Sequence, residues 1–432
     1  MSSLPLLSLL RNGVSRRPLF VVLAAAAVLR IGVVCWKFEN LSTDTDSYLV
    51  IAGNILAGEG FCSVAGRPTA FRPPLYPILV AVCKISGETT GFGGTIGLAA
   101  MQIFLGTATC GLAWGFASRL KLSERARLLA AVAVAVDPLL LLYTSHAMTE
   151  TLVTFLVTLL LVVVAGARSR RNSVLTGVVF GLAVLCRPSL WAFGALAGGC
   201  FLIRVVRKKP EVPSRREALR SGILVAISVL LTVAPWAIRN AMVFGRPLLM
   251  TTHGGYTLLL ANNPVFYEQV VERGQVWSAQ SLQDWQAHID QVISVQGISK
   301  TDELARDAAM REMAWKHIRQ QPGRFARSCL TRALRFWSFR PQAGAASWSV
   351  RLAVSAWYLA VLSVFAVGLV RIRVIGHDAL PAVLLIVSLT GVHAVFWSNA
   401  RMRAPVTVAV ASIAASVVFP RNATVERTLE SV

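Results

Sequence analysis

Acidic side chains are scarce: 21 Asp and Glu stand against 43 Lys and Arg in 432 residues, and charged residues of both signs make up only 15%. A soluble domain carries about 25% charge. With 55% hydrophobic residues and a mean hydropathy of +0.60, an ordinary soluble enzyme and a disordered chain are both excluded. Cysteine is thin as well. The seven, at 35, 62, 83, 110, 186, 200 and 329, form no CxxC pair and no Cys/His spacing of zinc type, so they read as small apolar packing residues. No soluble nucleotide-binding unit is present. GFGG (91–94) lacks a preceding strand and a following Lys-Ser/Thr, which leaves a flexible turn. There is no repeat between the halves and no matching pair of broken helices of the transporter kind.

What the chain has is apolar runs. About 20 apolar residues cross the hydrocarbon core as a helix. That window picks out ten spans: 18–36, 96–118, 126–144, 149–167, 173–187, 189–206, 219–238, 350–370, 379–397 and 404–419. The predicted fold is an all-α integral membrane protein, a bundle of about ten transmembrane helices. PPLYPILVAVCKI (74–86) is too short to span and reads as a helix at or dipping into the interface. Alternate loops and tails collect 21 basic residues: Arg11, Arg16, Arg17, Arg119, Lys121, Arg125, Arg127, Arg168, Arg170, Arg171, those of 204–220, Arg371, Arg373, Arg421 and Arg427. That set marks the cytoplasmic side, with both termini inside. The net charge of +22 is then topology, and nucleic acid is not an expected partner. Residues 1–17 are too polar for a cleavable signal, so the first span is expected to anchor the chain. The lack of a retention tail and the high Arg/Lys ratio point to a bacterial inner membrane, with the other face in the periplasm.

Two long segments fall on that outer face, 37–95 and 240–347. They divide the chain into a transmembrane module (1–239), an extracytoplasmic loop domain (240–347) and C-terminal spans (348–432). Within the loop domain, 301–337 has apolar residues at helical spacing with Arg and Lys between them, broken at Pro322-Gly323. Two amphipathic helices on the membrane surface fit that pattern.

With acid so rare, the carboxylates of the outer edge stand out. Asp44 and Asp46 precede Tyr48, Ala52, Leu56, Gly58 and Gly60, a short amphipathic helix that starts at the acids and ends in a glycine turn. One Asp suffices as an N-cap. A second acid at a membrane edge points to chemistry, either holding a divalent metal or removing a proton from a hydroxyl. FRPPLYP (71–77) follows; its prolines disfavour helix before them and let one begin there, fixing Arg72 at the entrance on the same face as Asp44. Arg187, Arg239, Arg401 and Arg403 recur at outer ends of spans. Snorkelling explains such a residue singly. Outer arginines nevertheless run against the topology bias, and guanidinium forks match phosphate oxygens. Phosphate held near a base at a membrane surface implies a lipid phosphate. Glu150 closes YTSHAMTE at the head of the fourth span, where His146 reads as a surface residue. The transferred group must arrive already activated on a carrier within the membrane.

The ordered motifs resemble the GT-C superfamily of polyprenyl-phosphate-sugar-dependent glycosyltransferases, in its branch of protein mannosyltransferases and aminoarabinose transferases. The carriers are the acids before Tyr-x-x-x-Ala with GEG after them (44–60), RPPLYP (72–77), MTE (148–150), CRP (186–188), APWAIRN-x-x-x-FGRP with THGGYTLLLANNP (234–264), and RMRAPV (401–406). The resemblance implies that Asp44, or failing it Asp46, is the catalytic base, with Glu150 an assisting acid. It implies that Arg72 and Arg239 hold the lipid phosphate; Tyr76, Arg187, Arg401 and Arg403 are further candidate contacts for it. Many relatives have adjacent acids where this chain has Asp44-Thr45-Asp46. Residues 265–400 diverge.

The activity implied is transfer of a sugar from a polyprenyl-phosphate carrier to an acceptor hydroxyl, by a single displacement that inverts the anomeric carbon. The acceptor is a protein, lipid or glycan. No cofactor is required by that scheme, and the Asp44/Asp46 spacing leaves room for a divalent metal. The alternatives are a lipid or glycan transporter or flippase, and a polymerase or ligase of lipid-linked glycans. A transporter pairs its charges near mid-bilayer, where this chain offers Arg30 alone.

Overall fold

The computed structural model describes residues 17–89, 91, 93–166, 169–207, 214–341, 347–371 and 376–420. The N-terminal tail that argues against a signal peptide lies outside these residues, as do Arg11, Arg16, Arg168, Lys208, Lys209, Arg373, Arg421 and Arg427 of the inner-face set.

All ten apolar runs are helical. In the first half the elements are α1 (Arg17–Trp36), α2 (Tyr48–Leu56), a hairpin of β1 (Cys62–Val64) and β2 (Arg67–Pro68), α3 (Leu75–Thr89) and α4 (Gly94–Arg119). Then come α5 (Glu124–Ala135), α6 (Pro138–Thr144), α7 (Glu150–Val164), α8 (Arg170–Cys186), α9 (Trp191–Val206) and α10 (Arg215–Phe244). The segment 240–347 contains α11 (Gly254–Ala261), α12 (Ala279–Val295), α13 (Glu303–Gln320) and α14 (Pro322–Phe336), and then follow α15 (Trp348–Val370), α16 (Leu380–Val395) and α17 (Thr407–Val418).

Among the described residues six helices are long and apolar enough to cross a membrane, or seven if the bent pair α5–α6 counts as one span. The runs expected at 149–167, 173–187 and 379–397 form shorter helices of 15, 17 and 16 residues. Packing explains how α7 manages at that length: almost every residue from Glu150 to Val163 is buried in the bundle, so protein rather than lipid surrounds it. The 48° bend between α5 and α6 is written at Asp137-Pro138. Proline brings no N–H to continue α5, and Asp137 caps α6 by accepting from Leu139 N and Leu140 N, both at 3.0 Å. The carbonyls freed at the end of α5 need donors. Arg30, fully buried in α1, supplies them at Ala135 O (3.3 Å) and Val134 O (3.4 Å). The one deep charge foreseen in the sequence is therefore a helix-end cap.

Glycines set the closest approaches. A Cβ on Gly177 of α8 would lie 2.5 Å from Val225 O of α10, and one on Gly181 would lie 2.7 Å from Thr232 Cβ. Small residues let membrane helices touch in this way. The helices α11–α13 enclose a second core of Leu258, Leu259, Trp285, Ile293 and Ala314. The segments 37–95 and 240–347 meet where Thr252 N donates to Ala70 O at 3.0 Å.

Candidate active site

The site is assembled from four places in the chain: the turn before α2, the loop before α3, the junctions flanking α7 and α8, and the 3₁₀ segment Ala400–Val406. Asp44 and Asp46 divide their work. Asp44 Oδ2 accepts from Val50 N at 2.8 Å and so caps α2, while its Oδ1 is buried with no partner. Asp46 lies between two guanidiniums, Oδ1 at 2.9 Å from Arg72 Nη2 and Oδ2 at 3.4 Å from Arg401 Nη1. Ser47 between them and the helix is left-handed at φ 61°. That backbone is uncommon outside glycine, and here it forms the turn between Asp46 and α2.

Glu150, 1% exposed at the head of α7, faces the same arginine. Its Oε1 lies 2.8 Å from Arg187 Nη2 and 3.4 Å from Arg401 Nε, and its Oε2 has no partner. The result is one chain of charge, Arg72–Asp46–Arg401–Glu150–Arg187, with three cations against two acids. Arg72 Nε and Arg187 Nη1 stay buried and unpaired. An arrangement with an excess positive charge and spare donors is suited to an anion.

The rings around Arg72 fix its plane. Its guanidinium lies over Phe71 at 5.0 Å and Tyr48 at 5.6 Å. Burial pushes the Tyr48 phenol well above its usual range. His253 stands edge-on to Phe71 at 4.3 Å. Burial, aided by Arg72, pushes this imidazole well below the usual histidine range, so it is neutral.

Three expected contacts lie elsewhere. Arg239 spends its donors on Thr69 O (2.8 Å), Phe61 O (3.0 Å) and Asn240 Oδ1 (3.0 Å), tying α10 to the β-hairpin loop. Arg403 is buried, donates to Ser338 O (2.9 Å) and Phe336 O (3.2 Å), and lies over Tyr358. Tyr76 is fully buried under the site; it packs edge-on to Tyr48, and its hydroxyl accepts from Gln102 at 3.1 Å. Arg72 meets Asp46 rather than Asp44, the acid whose face it was expected to share. Backbone carbonyls and phosphate oxygens attract guanidinium alike, so the sequence pattern did not separate Arg239 and Arg403 from Arg187 and Arg401.

One residue escaped the sequence reading altogether. Glu303, first in α13, accepts from Thr69 Oγ1, from Ala70 N at 3.0 Å and from Thr252 Oγ1 at 2.9 Å. With Arg239 on Thr69 O, the strap 69–70 that leads into Arg72 is held from both sides. Beside it opens a cavity of about 240 Å³, lined by Ser47, Thr69, Arg72, Thr252, Lys300, Glu303 and Arg306 among others. As for a divalent metal, Asp46 has both oxygens taken by arginine, which leaves Asp44 Oδ1 as the free ligand of the Asp44/Asp46 pair. Among the described residues no group of three or more His, Cys, Asp or Glu is placed to share a metal ion.

No protein-family model matches the chain, and no curated protein matches it. Solved structures do. The chain is similar to the Archaeoglobus fulgidus oligosaccharyltransferase in its apo form (TM-score 0.52, 16% identity, 96% of this chain and 52% of that one). It is similar to the same enzyme tethered to an acceptor peptide (TM-score 0.51, 13% identity, 96% and 50%). ArnT from Cupriavidus metallidurans, bound to undecaprenyl phosphate, aligns at TM-score 0.44 and 15% identity over 94% of this chain and 78% of its own. This chain spans about half the length of the oligosaccharyltransferase. At such identities the likeness is one of fold, the fold this chain shares with about half of the oligosaccharyltransferase.

Proposed function

We propose that the protein transfers a sugar from a polyprenyl-phosphate carrier to a hydroxyl on an acceptor outside the cytoplasm. The observation that carries this reading is the run of five alternating charges from Arg72 to Arg187, whose Asp46 follows by two residues the Asp44 with its unpartnered oxygen. Asp44 Oδ1 takes the proton of the acceptor hydroxyl as its oxygen bonds to the anomeric carbon. The bond from that carbon to the carrier oxygen breaks, and its electron pair leaves with the lipid phosphate. Inversion follows from the single displacement. Negative charge grows on the leaving phosphate, and donors fixed in place beforehand stabilise it without reorganisation. Arg72, Arg187 and Arg401 are those donors. Glu150 and Asp46 hold them, and Arg239 acts on Arg72 through the strap. The scheme needs no metal, and its setting is a bacterial inner membrane with the site toward the periplasm.

The test is turnover in liposomes with a polyprenyl-phosphate-sugar, comparing wild type with Arg401→Ala and Arg187→Ala. Each variant should lose about ten- to a hundredfold, as expected for charge-assisted hydrogen bonds worth roughly 1.5–3 kcal/mol. Full turnover in both would remove the phosphate site from this scheme.

A further inference from the structure

The transfer step leaves one built feature unused: the cavity that Arg72 lines together with Ser47, Lys300 and Arg306. Its volume of about 240 Å³ far exceeds the roughly 10–15 Å³ a single water needs on this measure. Three cations line it, Arg72, Lys300 and Arg306, against one acid, Glu303. That acid has nothing to offer a ligand cation, because Thr69, Ala70 and Thr252 already donate to its two oxygens. The cations are less occupied. Arg306 pairs with Asp290 through Nη2, while its Nη1 is buried without a partner. Lys300 stands exposed at the rim with no ion pair among the described residues. Ser47 and Thr252 add hydroxyls, and Ser47 is the immediate neighbour of Asp46. An unsatisfied guanidinium donor on a residue that lines an open, cation-rich cavity is one an entering oxyanion can complete.

We propose that this cavity receives the acceptor, and that the acceptor carries an oxyanion, a phosphate or carboxylate, read by Arg306 and Lys300. The claim rests on the transferase reading for the word acceptor, but anion binding here stands independently of turnover. The anion site is separate from the carrier's phosphate: of the five charges in the run from Arg72 to Arg187, Arg72 alone lines the cavity, while Arg401 and Arg187 meet Asp46 and Glu150.

Calorimetric titration of the full chain in detergent at low salt, with glucose 6-phosphate as probe and glucose as the neutral control, tests it. Glucose 6-phosphate should bind saturably and glucose at least about tenfold more weakly. Lys300→Ala and Arg306→Gln should each weaken the probe about tenfold, and Lys300→Glu should abolish it. Lys300 is exposed, so its reversal leaves folding intact, which the variant's melting curve checks. Arg401→Ala should leave binding unchanged, and farnesyl phosphate should not displace the probe. Absence of saturable binding to wild type overturns the proposal, as does binding that survives Lys300→Glu. Displacement by farnesyl phosphate, with loss in Arg401→Ala, also overturns it by assigning the anion to the carrier site. Failure of sugar transfer with these binding results intact would sink the transferase reading alone.

Discussion

Asp44 and Asp46 are two residues apart and meet different partners, and their substitution should separate two kinds of loss. Asp44→Asn removes the free oxygen proposed as base, while asparagine still caps α2. Turnover should fall about 10²–10⁴-fold, the usual range for a general base, with little change in melting temperature. Asp46→Asn loosens Arg72 and Arg401 and should give the smaller loss; full turnover in both variants would dismiss the base assignment. Ser47 offers a second test at this scale. At φ 61° glycine is at ease and a β-branched residue is strained. Ser47→Gly should melt near wild type, and Ser47→Val should cost about 1–3 kcal/mol in a denaturation midpoint. Of these residues the sequence made the acids legible, because acid is so rare at the edges of apolar runs. It did not reveal the division between them, since which carboxylate meets Arg72 depends on the left-handed turn at Ser47, and no periodicity reports that.

Between elements, the strap Thr69–Ala70 is what α10 and α13 share. Arg239 holds its carbonyl and Glu303 its hydroxyl and amide, so each becomes less useful once the other is gone. In a double-mutant cycle Arg239→Ala and Glu303→Ala should each destabilise by about 1–3 kcal/mol, and the pair by less than their sum. Arg239→Ala with Arg403→Ala should add, because Arg403 holds the distinct stretch 336–338. Additive losses in the first pair would show that the strap does not couple them. Acid should act on the same region through His253. Its imidazole is pushed below the usual 6.5, so the unfolded chain takes up the proton first. The histidine's contribution to stability is complete above about pH 6.5 and declines as pH falls from there toward the depressed value. His253→Gln should flatten that acid limb of the melting temperature; an unchanged slope would mean the imidazole is not what titrates. Helix pattern showed α13 and α14 and their break, but a carboxylate reaching some 230 residues back to a turn leaves no local trace.

At the scale of the whole molecule, the apolar runs alone yielded every long helix of the bundle, because a membrane imposes one strong rule on composition. The short β-hairpin 62–68 was missed for the complementary reason, being only a few residues with no alternation to read. Sidedness is the larger question, and here the geometry sharpens a prediction from charge. Basic residues concentrate in one alternate set of loops, which places 240–347 on the other side. Glu303 in that segment bonds to Thr69, and Arg72 three residues on pairs with Asp46. The loop domain and the proposed site must therefore share a face, so one label reports both. Among the seven cysteines Cys35 is exposed and would first be replaced by serine. Introduced cysteines at Gln280 and Arg216, both on the surface, then sample the two sides. An impermeant maleimide applied to intact cells should modify Gln280→Cys and spare Arg216→Cys until the membrane is opened. The reverse pattern would put Asp44 in the cytoplasm, where an outward acceptor could not reach it, and the proposed reaction would fail together with the topology.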